Sequence, residues 1–386
     1  MPRLAFIPGR LRGIPHSLLV MRILAALFMG AFAIVWIGCD QGSGPQQSAA
    51  PGASVVKFNR ISVHDDQMNN MEAFSVLVPE GWNEQAGVIW EPTLMELAYL
   101  QLKVTDPQSG AELQFLPPQK YVYMPNPVMP LQEGANYMGS VVGAPITDLD
   151  QYVRTAYAPQ VLPELQGASV TSRQELSNFA AAVQQAYGDP SQVKSEKIRY
   201  ECTRNGQPWE EDVYLTLVYT PTESVTLWEV YSAAVFRAPK GQLDTMTPLL
   251  TSVSQSTRLN PDWFGGLMYV RDLFVKRNMD AIHDAGAISQ TISQNSDAIR
   301  QEYSDSYKKA QDTNDKINQD FSETIRGVNT YSNPYEDRPV ELPGGYNDAW
   351  VNANGQYILS NQSGYDPNVG GTSEWKRMDQ RGENRQ

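Results

Sequence analysis

Hydrophobic and polar positions change their spacing several times along this chain, and each change predicts a different kind of element. An unbroken apolar run covers 23–37. Later, short apolar runs end at Pro, Gly or Asp, as strands do. These runs predict strands over 74–82, 87–92, 97–106 and 111–118. The proline-rich segment 120–130 suits neither a central strand nor a helix interior, so we expect an extended surface loop there.

Two segments in the middle of the chain have helical spacing, 148–160 and 172–188. Gly188 is placed to end the second of these helices. Its apolar residues share one face: Phe179, Ala182, Val183 and Ala186. A later segment, 243–258, has helical spacing as well.

Between these helices, apolar and polar residues alternate in three long stretches from 198 to 236. Asn205-Gly206 favours a tight hairpin turn between the first two stretches. The alternation predicts three antiparallel strands that present one polar face.

The pattern changes again at Asn260, which can cap a helix that begins with Pro261. Apolar residues then recur every eleven positions, a period typical of a straight or slightly right-handed supercoil. The stripe over 288–325 needs a partner, which is either the same chain or another molecule, including a second copy. Its candidate partner contacts are Ile288, Ile292, Ile299, Tyr303 and Phe321.

The last segment, 328–386, is rich in Gly, Asn, Tyr and Trp. Asn354-Gly355 predicts a hairpin within it. We expect a small β-rich module in which Trp350, Tyr357 and Trp375 form its own core. Trp350 and Trp375 are also candidate partner contacts.

The apolar run over 23–37 follows Arg22 and precedes Gly38 and Cys39. It is too short to span a bilayer comfortably and has the layout of an export signal. The tetrapeptide WIGC resembles the lipobox of bacterial lipoproteins, in which the cysteine after the cleavage site is acylated. The resemblance implies a signal peptide over 1–38, with Met21 as an alternative start, and lipidation of Cys39. An uncleaved N-terminal anchor is the other interpretation.

Residues 39–54 are made mostly of Gly, Ser, Gln, Pro and Ala and predict a flexible tether. The folded part is therefore expected in the bacterial cell envelope, outside the cytoplasm and attached to a lipid bilayer through Cys39. Asp40 resembles an inner-membrane retention signal of some lipoproteins, but periplasmic and cell-surface locations both stay open.

The strand F-x-V-x-V-P-x-G-W over 74–82 resembles the opening strand of PsbP/Mog-type domains, which include DcrB-like envelope proteins. FRAP over 236–239 and the Ser254–Arg258 end of a helix are similar to that family too. The resemblance covers 55–258. It implies an antiparallel sheet packed by helices and used for binding, and it brings no shared catalytic residues.

A second resemblance concerns the C-terminal segment. The order LP-x-G-aromatic, G-x-Y and T-x-x-W resembles a WW module with three short strands. Tyr346 replaces the first Trp of that module, and its closing Pro is missing. A proline-binding groove is therefore not implied.

The amino-acid composition limits the classes of molecule that this protein is expected to bind. The formal charge of the 386 residues is −13, and without residues 1–38, which contain four Arg and no acid, it is −17. Such an excess opposes binding to nucleic acid. Cys39 and Cys202 are the two cysteines; lipidation of the first excludes an internal disulfide, and the second is expected to be a buried, inert thiol.

The sequence offers little for catalysis. His64 and His283 follow no nucleophile elbow, and the chain lacks a standard set of zinc ligands. Acids near Asp312 lack the spacing of an EF-hand, and adjacent acids such as Glu210-Glu211 are common in an acidic protein. We therefore predict no catalytic residues, no metal and no cofactor.

Together these observations predict an α+β protein: an antiparallel sheet packed by helices, then a long α-helix and a small β-rich C-terminal module. The predicted divisions are 1–38, 39–54, 55–258, 260–327 and 328–386, of which 260–327 is a long helix or a helix pair. The favoured function is a non-catalytic binding or accessory protein of the envelope. The alternative is a carboxylate-based hydrolase with a cleft in the 55–258 domain, for which two acids with perturbed pKa values would be needed.

Overall fold

A computed structural model describes residues 55–91, 97–125, 131–137, 139–275, 303, 307, 327–336, 338–371 and 373–381. The strands of the first part are β1 (Val55–Asp65), β2 (Met71–Pro79), β3 (Asn83–Trp90), β4 (Ala98–Thr105), β5 (Glu112–Phe115), β6 (Lys120–Tyr123), β7 (Asn136–Tyr137), β8 (Ser140–Val142), β9 (Ser169–Glu175), β10 (Gln192–Arg204), β11 (Gln207–Pro221), β12 (Thr226–Pro239) and β13 (Arg258–Leu259). Those of the C-terminal part are β14 (Val328–Ser332), β15 (Pro339–Pro343), β16 (Asp348–Asn352), β17 (Tyr357–Ser360), β18 (Trp375–Arg377) and β19 (Asp379–Gln380).

Helices are fewer than strands among the described residues. They are α1 (Leu149–Tyr152), which continues as a π-helical turn (Val153–Tyr157), α2 (Ser177–Tyr187), α3 (Leu243–Gln255) and α4 (Pro261–Val275), with 3₁₀ turns at Asp66–Met68 and Pro163–Gly167. The strands predicted over 74–118 and the helices over 148–160 and 243–258 are thus confirmed, with shifted ends. The described residues combine helices with many strands in antiparallel sheets, which is an α+β or β-rich architecture.

The largest sheet has ten strands, in the order β3-β4-β5-β12-β11-β10-β9, with β6 on β12 and β8 and β7 beyond it. All its pairs are antiparallel except β6 with β8. Asn205 and Gly206 have φ angles of 51° and 76°, which a two-residue hairpin turn of the primed type requires. Arg204 pairs directly with Gln207 across that turn, so the predicted hairpin is confirmed.

Both faces of this sheet are covered, and the prediction of one polar face is wrong. Phe179 of α2 and Leu250 of α3 belong to a hydrophobic cluster on one face. Tyr152 of α1 and Leu165 of the second 3₁₀ turn belong to a cluster on the other. The sequence 213–219 carries large side chains in both phases of β11, and those side chains are buried.

Two predicted boundaries need correction. The segment 172–175 belongs to strand β9, because it pairs with β10, and the helix begins only at Ser177. The start of the proline-rich segment, 120–123, is strand β6 rather than a surface loop, and it pairs with β12. Pro125 lies after the strand, where it removes no ladder hydrogen bond.

The second sheet joins the two ends of the described chain. Its order is β13-β2-β1-β17-β16-β18, so a C-terminal strand pairs with the first one. Val55 lies opposite Ser360, and Phe58 opposite Tyr357. Tyr357 packs in one cluster with Phe58 and Leu77, which corrects the expectation that the C-terminal segment has a core of its own. The division at 328 itself stays a prediction.

A buried carboxylate fastens helix α4 to this region. Asp65 is 4% exposed and accepts hydrogen bonds from the indole Nε1 of Trp263 (2.8 Å) and of Trp90 (3.0 Å). The expected cap is also present, since Asn260 Oδ1 accepts from the Asp262 amide at 2.9 Å. A charge-assisted acceptor shared by two indoles fixes the helix to two strands.

The predicted long helix over 260–327 is described only as far as Val275, apart from Tyr303 and Tyr307. The Tyr303 hydroxyl donates to Asp272 Oδ2 at 2.7 Å. The Tyr307 hydroxyl donates to the Leu259 carbonyl at 3.1 Å. These two residues lie against the α4 region of their own chain, which is the fold-back arrangement rather than an exposed stripe at that point.

None of the described helices combines the length and apolarity needed to cross a bilayer. The apolar run over 23–37, Cys39 and the tether lie outside the described residues.

Candidate functional site: a cleft backed by buried charges

A row of charged side chains crosses the middle of the large sheet. Glu211 on β11 lies opposite Arg237 on β12, and Arg237 lies opposite Glu112 on β5. Directly opposed residues of antiparallel strands point to the same face, so these three side chains meet. All are buried, with exposures of 0%, 3% and 4%. Buried charges are uncommon unless they are paired, which makes this row unusual.

A fourth residue completes what we call the Arg237 cluster: Arg237 with Glu112, Glu164 and Glu211. Arg237 Nη1 lies 3.2 Å from Glu112 Oε1 and 3.1 Å from Glu164 Oε1. Its Nε lies 3.7 Å from Glu211 Oε2. Three carboxylates therefore share one guanidinium group.

One further cation touches the cluster. Lys103 Nζ lies 2.9 Å from Glu112 Oε2, which also accepts from the Thr105 hydroxyl at 3.1 Å. Three carboxylates thus face Arg237 and Lys103, and the charge of Arg204 also acts on Glu211. Burial makes the ionised form of a carboxylate costly and favours its protonated form.

Glu211 is the acid that takes the proton. Burial raises its pKa to about 7, Arg237 and Arg204 partly oppose the shift, and Glu164 adds to it. Within the described part of the chain, Glu211 Oε2 has no hydrogen-bond partner. The charge of the Arg237 cluster therefore changes close to neutral pH.

Cys202 on β10 stands next to this acid. Its thiol donates to Glu211 Oε1 at 3.5 Å. Burial, followed by the charge of Glu211, raises the pKa of the thiol to about 12. The side chain is half-buried rather than buried, but it is a protonated donor at neutral pH. A weak nucleophile of this kind matches the inert thiol predicted from the sequence.

A cleft of about 460 Å³ opens in front of the Arg237 cluster. Its walls come from the turn Pro163–Gly167, the start of β9 and the β10–β11 hairpin. We call it the Trp209 cleft, lined by Glu164, Gly167, Ala168, Ser169, Glu201, Cys202, Thr203, Pro208, Trp209 and Lys240. Its size suits a small molecule, and its lining mixes one large ring with charged and hydroxyl groups.

The Trp209 ring is held in place from two sides. The Arg204 guanidinium carbon lies 4.7 Å from the ring centroid, in a cation–π arrangement. Gly110 has a φ of 78°, and a Cβ atom there would lie 3.1 Å from the ring. At the rim, Lys240 Nζ pairs with Glu201 Oε2 at 2.7 Å. The ring is thus a fixed wall, whereas the rim pair is exposed to solvent.

Another buried ion pair lies at the other end of β12. Lys120 Nζ is 2.9 Å from Glu229 Oε2, and the Tyr187 hydroxyl donates to Glu229 Oε1 at 2.6 Å. Here one acid faces one base, so the charges of Glu229 and Lys120 cancel without protonation of the acid. It fixes β6 and α2 to the sheet.

Only some of the predicted partner-contact residues belong to the part of the chain that the structure describes. Tyr303 is buried, and Trp350 and Trp375 are half-buried on neighbouring strands β16 and β18. Ile288, Ile292, Ile299, Phe321 and the lipidation site Cys39 lie outside the described residues. Tyr303, Trp350 and Trp375 do not line the Trp209 cleft, and the role of all these residues as contacts stays a prediction.

His64 is exposed on β1, as expected of a solvated histidine. In the part of the chain that the structure describes, no group of three His, Cys, Asp or Glu side chains is arranged to hold a metal ion.

The residues of the Arg237 cluster were missed by the sequence analysis. Glu210-Glu211 reads as an ordinary acidic pair, yet Glu211 is in phase with the apolar residues Val213 and Leu215 of β11. Arg237 likewise stands inside an apolar strand. The available signal was a charged residue at a position where the alternation directs side chains into the core. The sequence does not show which residues pair with it.

Comparisons with known proteins add little. No protein-family model matches the chain, and no curated protein matches it. Among solved structures, the solution structure of cyanobacterial PsbP (CyanoP) from Synechocystis sp. PCC 6803 is similar over 57% of this chain and 98% of that chain, with 14% identity and a TM-score of 0.22. A TM-score of this size does not establish a shared fold.

Proposed function

We propose that this chain is a membrane-anchored bacterial lipoprotein of the cell envelope that acts by binding rather than by catalysis. The sequence around Cys39 supports the anchor, since a short apolar run ends in Gly and Cys. A PsbP/Mog-type domain over 55–258 and a long helix over 260–327 belong to the same proposal. The helix stripe over 288–325 is its candidate surface for a protein partner or for self-association.

The Trp209 cleft carries the binding part of the proposal. It offers a fixed aromatic ring, hydroxyl groups of Ser169 and Thr203, and a rim of opposite charges. Such a combination orients a small ligand through stacking and a few polar contacts. We infer that the ligand is small and carries a flat or ring-shaped group that packs on Trp209.

The alternative, a carboxylate-based hydrolase, fits this cleft less well. A general acid must reach the bond that it protonates. Glu211 has a suitable pKa of about 7, but it is fully buried behind the Cys202 thiol. Glu164 does line the cleft, but its carboxylate is paired with Arg237. Both acids are therefore engaged within the protein.

The anchor is tested by the intact mass of the membrane-extracted protein, with Cys39→Ser as the comparison. The proposal predicts a mature mass that begins at Cys39 plus lipid, and an accumulated precursor in the variant. An unprocessed mass in both proteins would contradict it and leave an N-terminal anchor.

The cleft is tested by native mass spectrometry of the protein isolated from its own envelope. We expect a bound small molecule that is lost in Trp209→Ala and retained in Trp375→Ala, a matched change on an edge strand of the other sheet. Hydrolysis of chromogenic esters or glycosides that disappears in Glu211→Gln would instead favour the enzyme.

A further inference from the structure

Glu164 is a carboxylate of the Trp209 cleft that the described chain does not fully satisfy. It sits on the turn Pro163–Gly167, and its side chain is 13% exposed. Its Oε1 lies 3.1 Å from Arg237 Nη1, but this contact lacks the geometry of a hydrogen bond. Its Oε2 accepts no hydrogen bond from the described residues either, and it is not buried. Since a largely enclosed carboxylate normally accepts several hydrogen bonds, Glu164 has unused acceptor capacity at the cleft wall.

The other polar side chains of the lining do not select a charge in this way. At the rim, Glu201 already pairs with Lys240 at 2.7 Å. The hydroxyl groups of Ser169 and Thr203 can both donate and accept, so they suit ligands of any charge. Glu164 is therefore the residue that gives the cleft a preference for a positive group.

Acids also dominate the electrostatic field at the cleft wall. The thiol of Cys202, which lines the cleft, has a pKa raised to about 12, first by burial and then by the charges of Glu211 and Glu164. Arg204 opposes this shift, but by less than either acid. A cleft with a negative field attracts a cation and repels an anion.

The Trp209 ring supplies a second contact that suits such a ligand. Arg204 covers one face of the ring at 4.7 Å from its centroid, but Arg204 does not line the cleft. The cleft therefore meets ring surface that Arg204 leaves uncovered. A flat group can stack on that surface, and a cation beside an indole gains a further attraction to its π electrons.

We propose that the ligand of the Trp209 cleft is a small amine that carries a flat ring: the ring packs on Trp209, and the positively charged ammonium group donates hydrogen bonds to Glu164 Oε2. The inference rests on the cleft being the binding site of the proposed function. An ammonium group supplies the donors that Glu164 lacks, and a charge-assisted hydrogen bond is stronger than one from a neutral hydroxyl group. A carboxylate in the same place would face Glu164 as a like charge. The formal charge of the chain, −13, favours a cationic ligand as well.

Isothermal titration calorimetry with three probes of nearly the same shape tests this preference for charge. Tryptamine carries a flat ring and an ammonium group, tryptophol has a hydroxyl group in place of the amine, and indole-3-acetate has a carboxylate. We expect the wild-type protein at pH 7 to bind tryptamine about tenfold more tightly than tryptophol, the effect of one charge-assisted hydrogen bond. Indole-3-acetate should bind more weakly than either, and Trp209→Ala should weaken the binding of tryptamine and tryptophol alike.

Two matched variants locate the preference at one carboxylate. Glu164→Gln keeps the size of the side chain and removes its charge, so the affinity for tryptamine should fall about tenfold, to that of tryptophol. The affinity for tryptophol should not change. Glu223→Gln removes an exposed acid from the turn between β11 and β12, away from the lining, and should leave both affinities as they are.

The inference is overturned if the wild type binds tryptamine no more tightly than tryptophol or does not bind it at all. This result needs no variant, so it stands even if Glu164→Gln does not fold. A preference for tryptamine that persists in Glu164→Gln would overturn it too. The binding proposal has its own test, the native ligand that is lost in Trp209→Ala. A native ligand without a positive charge would therefore contradict the inference and leave the binding proposal standing.

Discussion

The two buried charge centres on β12 differ in their ratio of acids to bases. Near one end, Glu229 meets Lys120 one to one, with Tyr187 as an additional donor. Near the other end, Arg237 serves three carboxylates. The first centre is neutral in itself, whereas the second contains an acid, Glu211, whose pKa is raised to about 7 by burial. A balanced pair fastens elements together, but a cluster that contains such an acid makes its region of the protein sensitive to pH.

The two charge centres also differ in their position relative to the Trp209 cleft. The Lys120–Glu229 pair lies away from the Trp209 cleft and holds β6 and α2 in place. The Arg237 cluster forms the back of the cleft, where Glu164 and Cys202 reach its surface. Perturbed acids beside a cleft are a recognised sign of a functional site.

The largest effect is expected from Arg237→Met. It leaves three carboxylates with Lys103 as the one base in direct contact among the described residues, and breaking a buried ion pair in this way costs about 4–5 kcal/mol. Urea unfolding at pH 7 measures the loss. The deficit should shrink at pH 5, because the carboxylates can then take up protons. A loss that is small and independent of pH would show that the cluster contributes little.

Lys120→Met comes next, with an expected loss of about 3–4 kcal/mol, since it strands a single buried carboxylate. The double variant Lys120→Met with Glu229→Gln should recover part of this loss, because the amide oxygen still accepts from Tyr187. The free energy of urea unfolding of both proteins tests whether the loss of stability comes from leaving one acid without its base. If the double variant is no more stable than the single one, the cost lies in packing rather than in charge.

Glu211→Gln should remove a pH dependence of stability that comes from this acid. The folded protein holds this proton up to about pH 7, whereas the unfolded chain releases it near 4.5. The stabilisation is therefore complete below pH 4.5 and is lost as pH rises to 7, a change of about 3 kcal/mol. The difference between the wild-type and Glu211→Gln stability curves measures it. A flat difference would contradict the assignment of the proton to Glu211.

The smallest effect is expected at the cleft rim. Glu201→Gln breaks the pair with Lys240, but both side chains are substantially exposed, and exposed ion pairs add little to stability. The unfolding midpoint should not move measurably, in contrast to the two buried centres. A clear loss of stability would mean that the rim belongs to the buried network.

Much of the fold could be predicted from short stretches of sequence. The Asn205-Gly206 hairpin, the Asn260 cap and the end of α2 at Gly188 all depend on residues a few positions apart. Two errors have a common cause: β6 and β9 are short strands whose own residues give weak signals. Both form because β12 and β10 lie beside them, so neighbouring strands decided their conformation.

Sequence alone determined most of the local elements of this protein, because turn and cap preferences act over a few residues. It could not determine which strands are neighbours. Only tertiary structure set β17 beside β1, some 300 positions away, and brought Glu112, Glu164 and Glu211 to one guanidinium. The physical reason is that the pKa of a buried acid depends on the groups around it in space, and those groups are chosen by sheet register.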